Sequence, residues 1–314
     1  MPKTVKNTAS ALKTTPRKPP PGQFKPKYRM PSAPALPRFW SQLKSPDFER
    51  LDRRRSIAVL PVAATEQHGP HLPLCVDSAL VDGVIAAALP HLAADCPALF
   101  LPTQAVGFSP EHTAFAGTLT LKSSTLIALW TDIAESVRAA GVSKLVLLNA
   151  HGGQVGLLDV VARDLRARLG MLVYSVNWFG LPLLDDAGQS VAALFSAREH
   201  RFGVHAGDIE TSMMLALQPG AVDMAQAQDF QSTAEQRAAT FSLLGDGKSA
   251  KLAWQMQDYN AEGAAGNAAA ATADKGRALL GAAGRSLAQL LGEIDRLPAD
   301  TLRGSASGSG STGL

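Results

Sequence analysis

The 314-residue sequence predicts an α/β fold, with a mostly parallel sheet covered by helices on both faces. Short apolar runs rich in strand formers alternate along the chain with amphipathic segments of helical period,. This alternation is typical of βαβ units. The hydrophobic content of 46% is enough to bury a sizeable core,.

The elements follow one another in a regular order. We expect strands at residues 56–64, 98–104, 144–151 and 171–178,. We expect helices at residues 77–89, 124–141, 154–170, 208–220 and 271–291,. Asp77 or Ser78 can cap the first of these helices, and Gly141 and Gly170 end the second and third. In such folds ligands bind beyond the carboxyl ends of the strands.

Two terminal segments differ from the body in composition. Residues 1–38 contain nine of the 30 Lys and Arg and no acidic residue, which leaves 21 basic and 27 acidic side chains elsewhere. The body is therefore mildly acidic, and we expect no nucleic-acid partner. We expect residues 1–38 to be a disordered basic Pro-rich arm, and residues 296–314 to be a flexible Gly/Ser tail.

Cysteine use and hydropathy bear on the compartment. Cys75 and Cys96 form no CxxC pair, so neither a disulfide framework nor a thiolate zinc site is expected,. No run of about 18 apolar residues occurs, so we expect no membrane span. The N-terminus lacks the apolar core of a secretory signal. These features favour the cytoplasm.

The stretch EQHGPHLPLCVD concentrates groups that bind metals. In an extended backbone Glu66 and His68 point the same way, and Gln67 is turned away. Gly69 and the prolines bend the loop, so that Asp77 can return to the same point. Carboxylates with imidazoles are the ligand set of Zn²⁺, Mn²⁺ or Fe²⁺.

Two further segments carry similar groups. NAHGG delivers His151 to the end of a predicted strand, and HAGDIET places His205, Asp208 and Glu210 around the start of a predicted helix. Each segment alone indicates little, because a histidine beside small residues often just closes a turn. Their joint placement at strand ends and helix starts favours a metal site.

These segments resemble the creatininase (creatinine amidohydrolase) family of metal-dependent amidohydrolases. The resemblance rests on LPVAATEQHGPHLPLCVD, NAHGG and HAGDIETS, with weaker agreement in GFSPEHTAFAGTLTL and EGAAGNAAAATADKGRALL. It covers residues 39–295, which we expect to form the amidohydrolase domain. It implies a single three-layer α/β/α domain and a ring-like homo-oligomer, a hexamer by resemblance.

The resemblance also implies two divalent metal ions per chain, Zn²⁺ first, with Mn²⁺ or Fe²⁺ as alternatives. By position, Glu66, Asp77 and His151 match ligands of one metal. His68 and Asp77 match ligands of the other, with Asp77 bridging the two.

The second metal site departs from creatininase itself, which has a glutamate where this chain has Gly153. Another carboxylate is then needed, and Glu210 is the first candidate and Asp208 the second. His205 matches the catalytic histidine of the family and is expected to protonate the departing nitrogen, with Glu210 as the other catalytic candidate. Because of Gly153, creatinine itself is not the expected substrate.

The function implied is metal-dependent hydrolysis of a non-peptide or cyclic C–N amide bond in a small molecule, by a metal-bridged hydroxide. Candidate substrate contacts are Gln154, His112 and Trp178. Glu111 and His112 could both touch substrate, but such a pair on a loop is more often solvated. The alternative is a non-catalytic protein of the same fold that binds a small ligand or a partner chain.

Overall fold

A computed structural model describes residues 36–298 and 300–303 of the chain. Four parallel strands form a sheet in the order β2-β1-β3-β4. These strands are β1 (Ile57–Val62), β2 (Ala98–Phe100), β3 (Lys144–Asn149) and β4 (Leu172–Asn177). A short antiparallel pair is formed by β5 (Asp229–Phe230) and β6 (Gly266–Asn267).

Helices cover both faces of the four-stranded sheet. The helices of the described residues are α1 (Val76–Ala88), α2 (Ser123–Ala139), α3 (Val155–Leu169), α4 (Ala197–Phe202), α5 (Asp208–Leu217), α6 (Thr233–Thr240), α7 (Met256–Tyr259) and α8 (Ala273–Arg296). Helix α8 packs against α1 and α5 on one face, and α2 packs against α3 on the other. The predicted three-layer α/β/α arrangement is therefore confirmed.

Strand β1 lies at the centre of this arrangement because it is apolar along its whole length. Ile57 and Val59 join the core beneath α1 and α8, whereas Ala58 and Leu60 join the core beneath α2 and α3. Alternate side chains of one strand thus serve opposite cores, as expected for a parallel strand covered on both faces.

Several predicted boundaries were wrong by a few residues. The strand predicted at 98–104 ends at Phe100, although the amide of Gln104 still donates to the carbonyl of Pro61 at 3.0 Å. The last helix continues to Arg296 because Leu291 and Ile294 extend its buried face. The short helices α4, α6 and α7 were not predicted, since four to eight residues give little periodicity,.

The predicted terminal segments lie mostly outside the described residues. Residues 1–35 of the predicted arm and 304–314 of the predicted tail are not described, so both assignments remain predictions. None of the helices in the described ranges combines the length and the apolar character that crossing a bilayer requires.

The sheet brings distant chain segments together at one edge. Val62 and Asn149 are paired across β1 and β3, so the residues that follow these two strands emerge side by side. Glu66 follows β1 and His151 follows β3. The candidate ligands therefore lie at the carboxyl edge of the sheet, as predicted.

Candidate metal centre

The loop after β1 folds back on itself before α1. Gly69 takes a left-handed conformation with φ of 66°, and the amide of Glu66 donates to the carbonyl of Leu74 at 3.1 Å,. Helix α1 then starts, and Asp77 lies in its first turn. The loop brings Asp77 back to the motif, with its Oδ1 3.6 Å from Nε2 of His68.

The end of β3 supplies His151. The Asn149 side chain donates to the carbonyl of His151 at 2.7 Å and accepts from its amide at 3.1 Å, which fixes the backbone where the strand ends. Nδ1 of His151 lies 3.3 Å from Glu66 Oε1 and 3.3 Å from Asp77 Oδ2. His151 thus meets Glu66 and Asp77, which lie far from it in sequence.

The segment before α5 contributes His205, and the first turn of α5 contributes Glu210. Nδ1 of His205 lies 3.8 Å from Oε1 of Glu66. Glu210 accepts a hydrogen bond from the amide of Ala206 at 2.5 Å, and Ala206 itself has a positive φ of 54°. A non-glycine residue held in this region is strained, and such strain is frequently found at functional sites.

Asp208 and Glu210 differ in what they contact. Asp208 forms an ion pair with Lys275 at 2.6 Å and accepts from Ser212 at 2.9 Å. Glu210 instead lies in one group with His68 and His205. The geometry therefore favours Glu210 over Asp208 as the additional carboxylate.

Within the described residues, three groups bring their ligand atoms to within 4.8 Å of one another, as a metal ion requires. The groups are Glu66–Asp77–His151, His68–His205–Glu210 and Glu66–His112–His205. His205, which we had assigned to no metal, belongs to two of them. Its role as a proton carrier and its role as a ligand are both compatible with this placement.

Buried polar atoms that lack a hydrogen-bond partner indicate whether a cation fits the site. Oε2 of Glu66, Nε2 of His68 and Oδ2 of Asp77 are buried without a hydrogen-bond partner. Burying a polar atom without a partner is costly, and buried charges are normally paired or bound to metal. The donor set of carboxylates and imidazoles suits Zn²⁺ or Mn²⁺.

The electrostatics of the cluster agree with a cation site. Burial opposes the charge on Asp77, but His151 and His68 outweigh it and lower the Asp77 pKa to about 2. Burial also lowers the pKa of His68, but Asp77, Glu210 and Glu66 outweigh it and raise that pKa to about 9. The carboxylates around His68 thus favour a positive charge at this position, and a bound cation would supply such a charge.

The centre opens into a cavity of about 350 Å³. Its outer wall is formed by residues of irregular segments, among them Pro110, Val204, Lys251, Leu252 and Trp254. This wall combines apolar side chains with a single cationic one.

Glu111 was expected to be solvated, and this expectation was wrong. Glu111 is 8% exposed and lines the cavity, with Oε1 3.4 Å from Nε2 of His151. A Cβ at position 153 would overlap the Glu111 carboxylate. Glu111 therefore occupies the space beside His151 that Gly153 leaves open.

The three candidate substrate contacts are not placed alike. His112 lines the cavity, and its Nε2 lies 3.4 Å from Oε1 of Glu66. Gln154 is fully buried and donates to Asn149 at 2.9 Å, while Trp178 lines a separate cavity. Neither Gln154 nor Trp178 is among the residues that line the cavity at the metal centre.

Gln67 was expected to turn away from Glu66 and His68. Its amide nitrogen, however, lies 2.7 Å from Nδ1 of His112 and 3.3 Å from Nε2 of His205. Sequence reasoning missed this residue, because its partners come from segments far away in the chain.

These features together define a candidate metal-binding centre at the carboxyl edge of an α/β sheet, next to an accessible cavity. The model of the creatininase family, described as creatinine amidohydrolase, matches residues 41–291. The chain therefore belongs to the creatininase family, which confirms the resemblance inferred from the motifs.

Curated relatives of two kinds match the chain. The mycofactocin precursor peptide peptidase of Mycobacterium tuberculosis (strain CDC 1551 / Oshkosh) is 34% identical over 170 residues, which cover 52% of this chain and 59% of the relative. The creatinine amidohydrolase of Pseudomonas putida is 29% identical over 188 residues, which cover 55% and 68%. The match thus spans little more than half the length of the peptidase.

Solved creatininase structures share the fold. A mutant creatininase of Zn–Zn type superposes with a TM-score of 0.65 at 25% identity, covering 84% of this chain and all of the other. An Mn creatininase superposes with a TM-score of 0.63 at 25% identity, covering 83% and 99%. Members of this family therefore carry Zn or Mn.

Proposed function

We propose that this protein is a metal-dependent amidohydrolase that hydrolyses a C–N amide bond in the cavity beside Glu66, Asp77 and His151. The observation that carries the proposal is that Glu66, Asp77 and His151 bring ligand atoms to within 4.8 Å of one another, while Oε2 of Glu66 and Nε2 of His68 are buried without a hydrogen-bond partner. A merely structural cluster would pair these atoms with protein donors and acceptors.

The residues that would hold the metals follow from their contacts. Glu66, Asp77 and His151 would hold one ion. Asp77 would also serve a second, because its Oδ1 faces His68 while its Oδ2 faces His151. Glu210 would join His68 at that second site. Bound Zn²⁺ or Mn²⁺ would supply a Lewis acid that activates water and stabilises developing negative charge.

His205 is the group that we assign to proton transfer. Its Nε2 is hydrogen-bonded to the backbone carbonyl of Gln67 at 2.6 Å, so Nδ1 is the ring atom that remains available toward Glu66. Nδ1 can take a proton from the attacking water and deliver it to the departing nitrogen. Burial lowers the pKa of His205 well below its usual value, which favours the neutral ring.

Two classes of substrate are compatible with the proposed amidohydrolase activity. A cyclic or otherwise non-peptide amide is the class that the sequence motifs favour, and Gly153 disfavours creatinine. A peptide C–N bond is the second class, supported by the peptidase relatives and by apolar side chains such as Leu252 and Trp254 in the cavity wall. A homo-oligomer and a cytoplasmic location remain predictions from the sequence.

The test is a panel of substrates offered to the Zn²⁺- or Mn²⁺-loaded chain and to the same chain after chelation. We expect release of an amine from one of the cyclic amides, formamides or short peptides, and loss of that activity on chelation. A metal-loaded, folded chain that cleaves none of them would favour the alternative, a non-catalytic binding protein of the same fold.

A further inference from the structure

Gln67 lies between two histidines of the site, and its side chain is held on three sides. Oε1 accepts from the amide of Gly69 at 2.9 Å, and Nε2 donates to the carbonyl of Gly263 at 2.9 Å. A backbone N–H can only donate, and a backbone carbonyl can only accept. These two partners therefore fix which end of the amide is oxygen and which is nitrogen, an assignment that otherwise depends on the hydrogen-bond network.

The fixed amide determines where His112 carries its proton. The second hydrogen on Nε2 of Gln67 points at Nδ1 of His112, 2.7 Å away. Nδ1 must then accept, so the neutral ring carries its proton on Nε2. Nε2 is the atom that faces the metal centre, 3.4 Å from Oε1 of Glu66.

The backbone carbonyl of Gln67 determines which ring nitrogen of His205 carries the proton, and here the protonated nitrogen is not the one that faces Glu66. Nε2 of His205 lies 2.6 Å from the carbonyl oxygen of Gln67, a distance that requires an N–H on the ring,. Nδ1, which faces Glu66, is therefore the bare nitrogen. The 3.3 Å separation between Nε2 of Gln67 and Nε2 of His205 joins two donors and is not a hydrogen bond.

We propose that Gln67 is a positioning residue that gives the two histidines different tasks: His112 presents a fixed N–H to the substrate carbonyl oxygen, and His205 presents a bare nitrogen to the proton in transfer. This assignment rests on the proposed amidohydrolase function. The two rings, whose centroids are 4.2 Å apart, have the same tautomer but turn opposite nitrogens toward the centre.

With these assignments every proton in the hydrolysis of the amide has a donor and an acceptor. The water oxygen forms a bond to the carbonyl carbon, one water proton passes to Nδ1 of His205, and negative charge develops on the carbonyl oxygen. The Nε2–H of His112 donates a hydrogen bond to that oxygen and keeps its proton. The C–N bond then breaks, and His205 returns the proton to the departing nitrogen, giving a carboxylic acid and an amine.

Ring-nitrogen NMR of the ¹⁵N-histidine-labelled, Zn²⁺-loaded chain tests the proposal without any substrate. His112→Gln and His205→Gln variants assign the two rings by loss of signal. We expect both histidines to be protonated at Nε2 and bare at Nδ1. A proton on Nδ1 of His112 would overturn the proposal, whatever the enzyme hydrolyses.

Gln67→Met tests the link from the amide to the reaction. It removes the donor to His112 at nearly the same volume, so we expect the His112 signals to show mixed tautomers, kcat to fall by about 10- to 100-fold and bound metal to stay unchanged. Gln236→Met, at an exposed position in α6, is the matched control and should change nothing. An unchanged His112 tautomer in a folded Gln67→Met chain would contradict the proposal.

The two hypotheses fail in different ways. Bare Nδ1 atoms on both rings in a chain that cleaves no amide would leave the hydrogen-bond assignment standing and refute the proposed function. An active chain in which Nδ1 of His112 is protonated would support the proposed function and refute the hydrogen-bond assignment.

Discussion

The two walls of the cavity are built differently. The inner wall consists of Glu66, Asp77 and His151, which follow β1, begin α1 and follow β3, and all are at most 4% exposed. The outer wall comes from Pro110, Val204 and the irregular segment 251–255, where Leu252 is 48% exposed. The difference suggests that the inner wall holds the metals and supplies the chemistry, while the outer wall selects the substrate.

The largest effect should come from Asp77→Ala on the inner wall. One residue serves both candidate sites, so we expect metal affinity to fall by more than about 100-fold, since losing even the hydrogen-bond partner of a ligand costs about 10- to 100-fold. Amide hydrolysis should disappear with the metal. Asp82→Ala, an exposed position on the same helix, is the control, and full activity in Asp77→Ala would refute the bridging role.

His205→Asn should separate chemistry from metal binding. We expect turnover to fall by about 10²- to 10⁴-fold with metal content unchanged, because a proton carrier is lost. Metal content is measured together with kcat, and His200→Asn on the exposed side of α4 serves as the control. If the variant instead loses a metal ion, His205 is a ligand, as its place in two of the three groups would allow.

Gly153→Ala should weaken metal binding by displacing Glu111. The added Cβ would overlap the Glu111 carboxylate and would also lie 2.5 Å from Nε2 of His151, to which Glu111 is adjacent at 3.4 Å. Because the partner of a ligand histidine holds its orientation, we expect about 10- to 100-fold weaker metal affinity by calorimetric titration.

The neighbouring glycine offers a matched comparison. A Cβ at Gly152 meets nothing within 4 Å, so Gly152→Ala should leave metal affinity unchanged. Equal behaviour of the two variants would show that Glu111 does not act through the space at position 153.

The smallest effect should come from the outer wall. Leu252→Ser changes an exposed side chain, so we expect stability within about 0.5 kcal/mol of the parent and a severalfold change in KM with kcat retained,. Steady-state kinetics on the best substrate of the panel measure this split. A loss of kcat equal to that of His205→Asn would remove the distinction between the two walls.

The same division explains what the sequence could predict. The inner wall was predictable because EQHGPHLPLCVD packs Glu66, His68 and Asp77 into twelve positions, and because strand periodicity placed His151 at a strand end. The helices and strands of the three-layer core were predictable for a similar reason, since their apolar patterns are local.

The roles of Glu111 and Gln67 could not be predicted in this way. Glu111 reaches His151 across 40 positions of sequence, and Gln67 reaches His205 across 138, so no local pattern reports either contact. Gly153 could have indicated the contact of Glu111 with His151, since a missing side chain beside a ligand histidine leaves room for a group from elsewhere in the chain. Short helices such as α7 were not predicted because tertiary contacts, and not sequence periodicity, define them.

The most direct test of the central claim is a count of bound metal on the folded, full-length chain after incubation with Zn²⁺ and removal of free ions. Convergence of Glu66, His68, Asp77, His151 and Glu210 predicts about two tightly bound ions per chain, as in binuclear hydrolases. A folded chain that retains no zinc, and equally no manganese, would contradict the account.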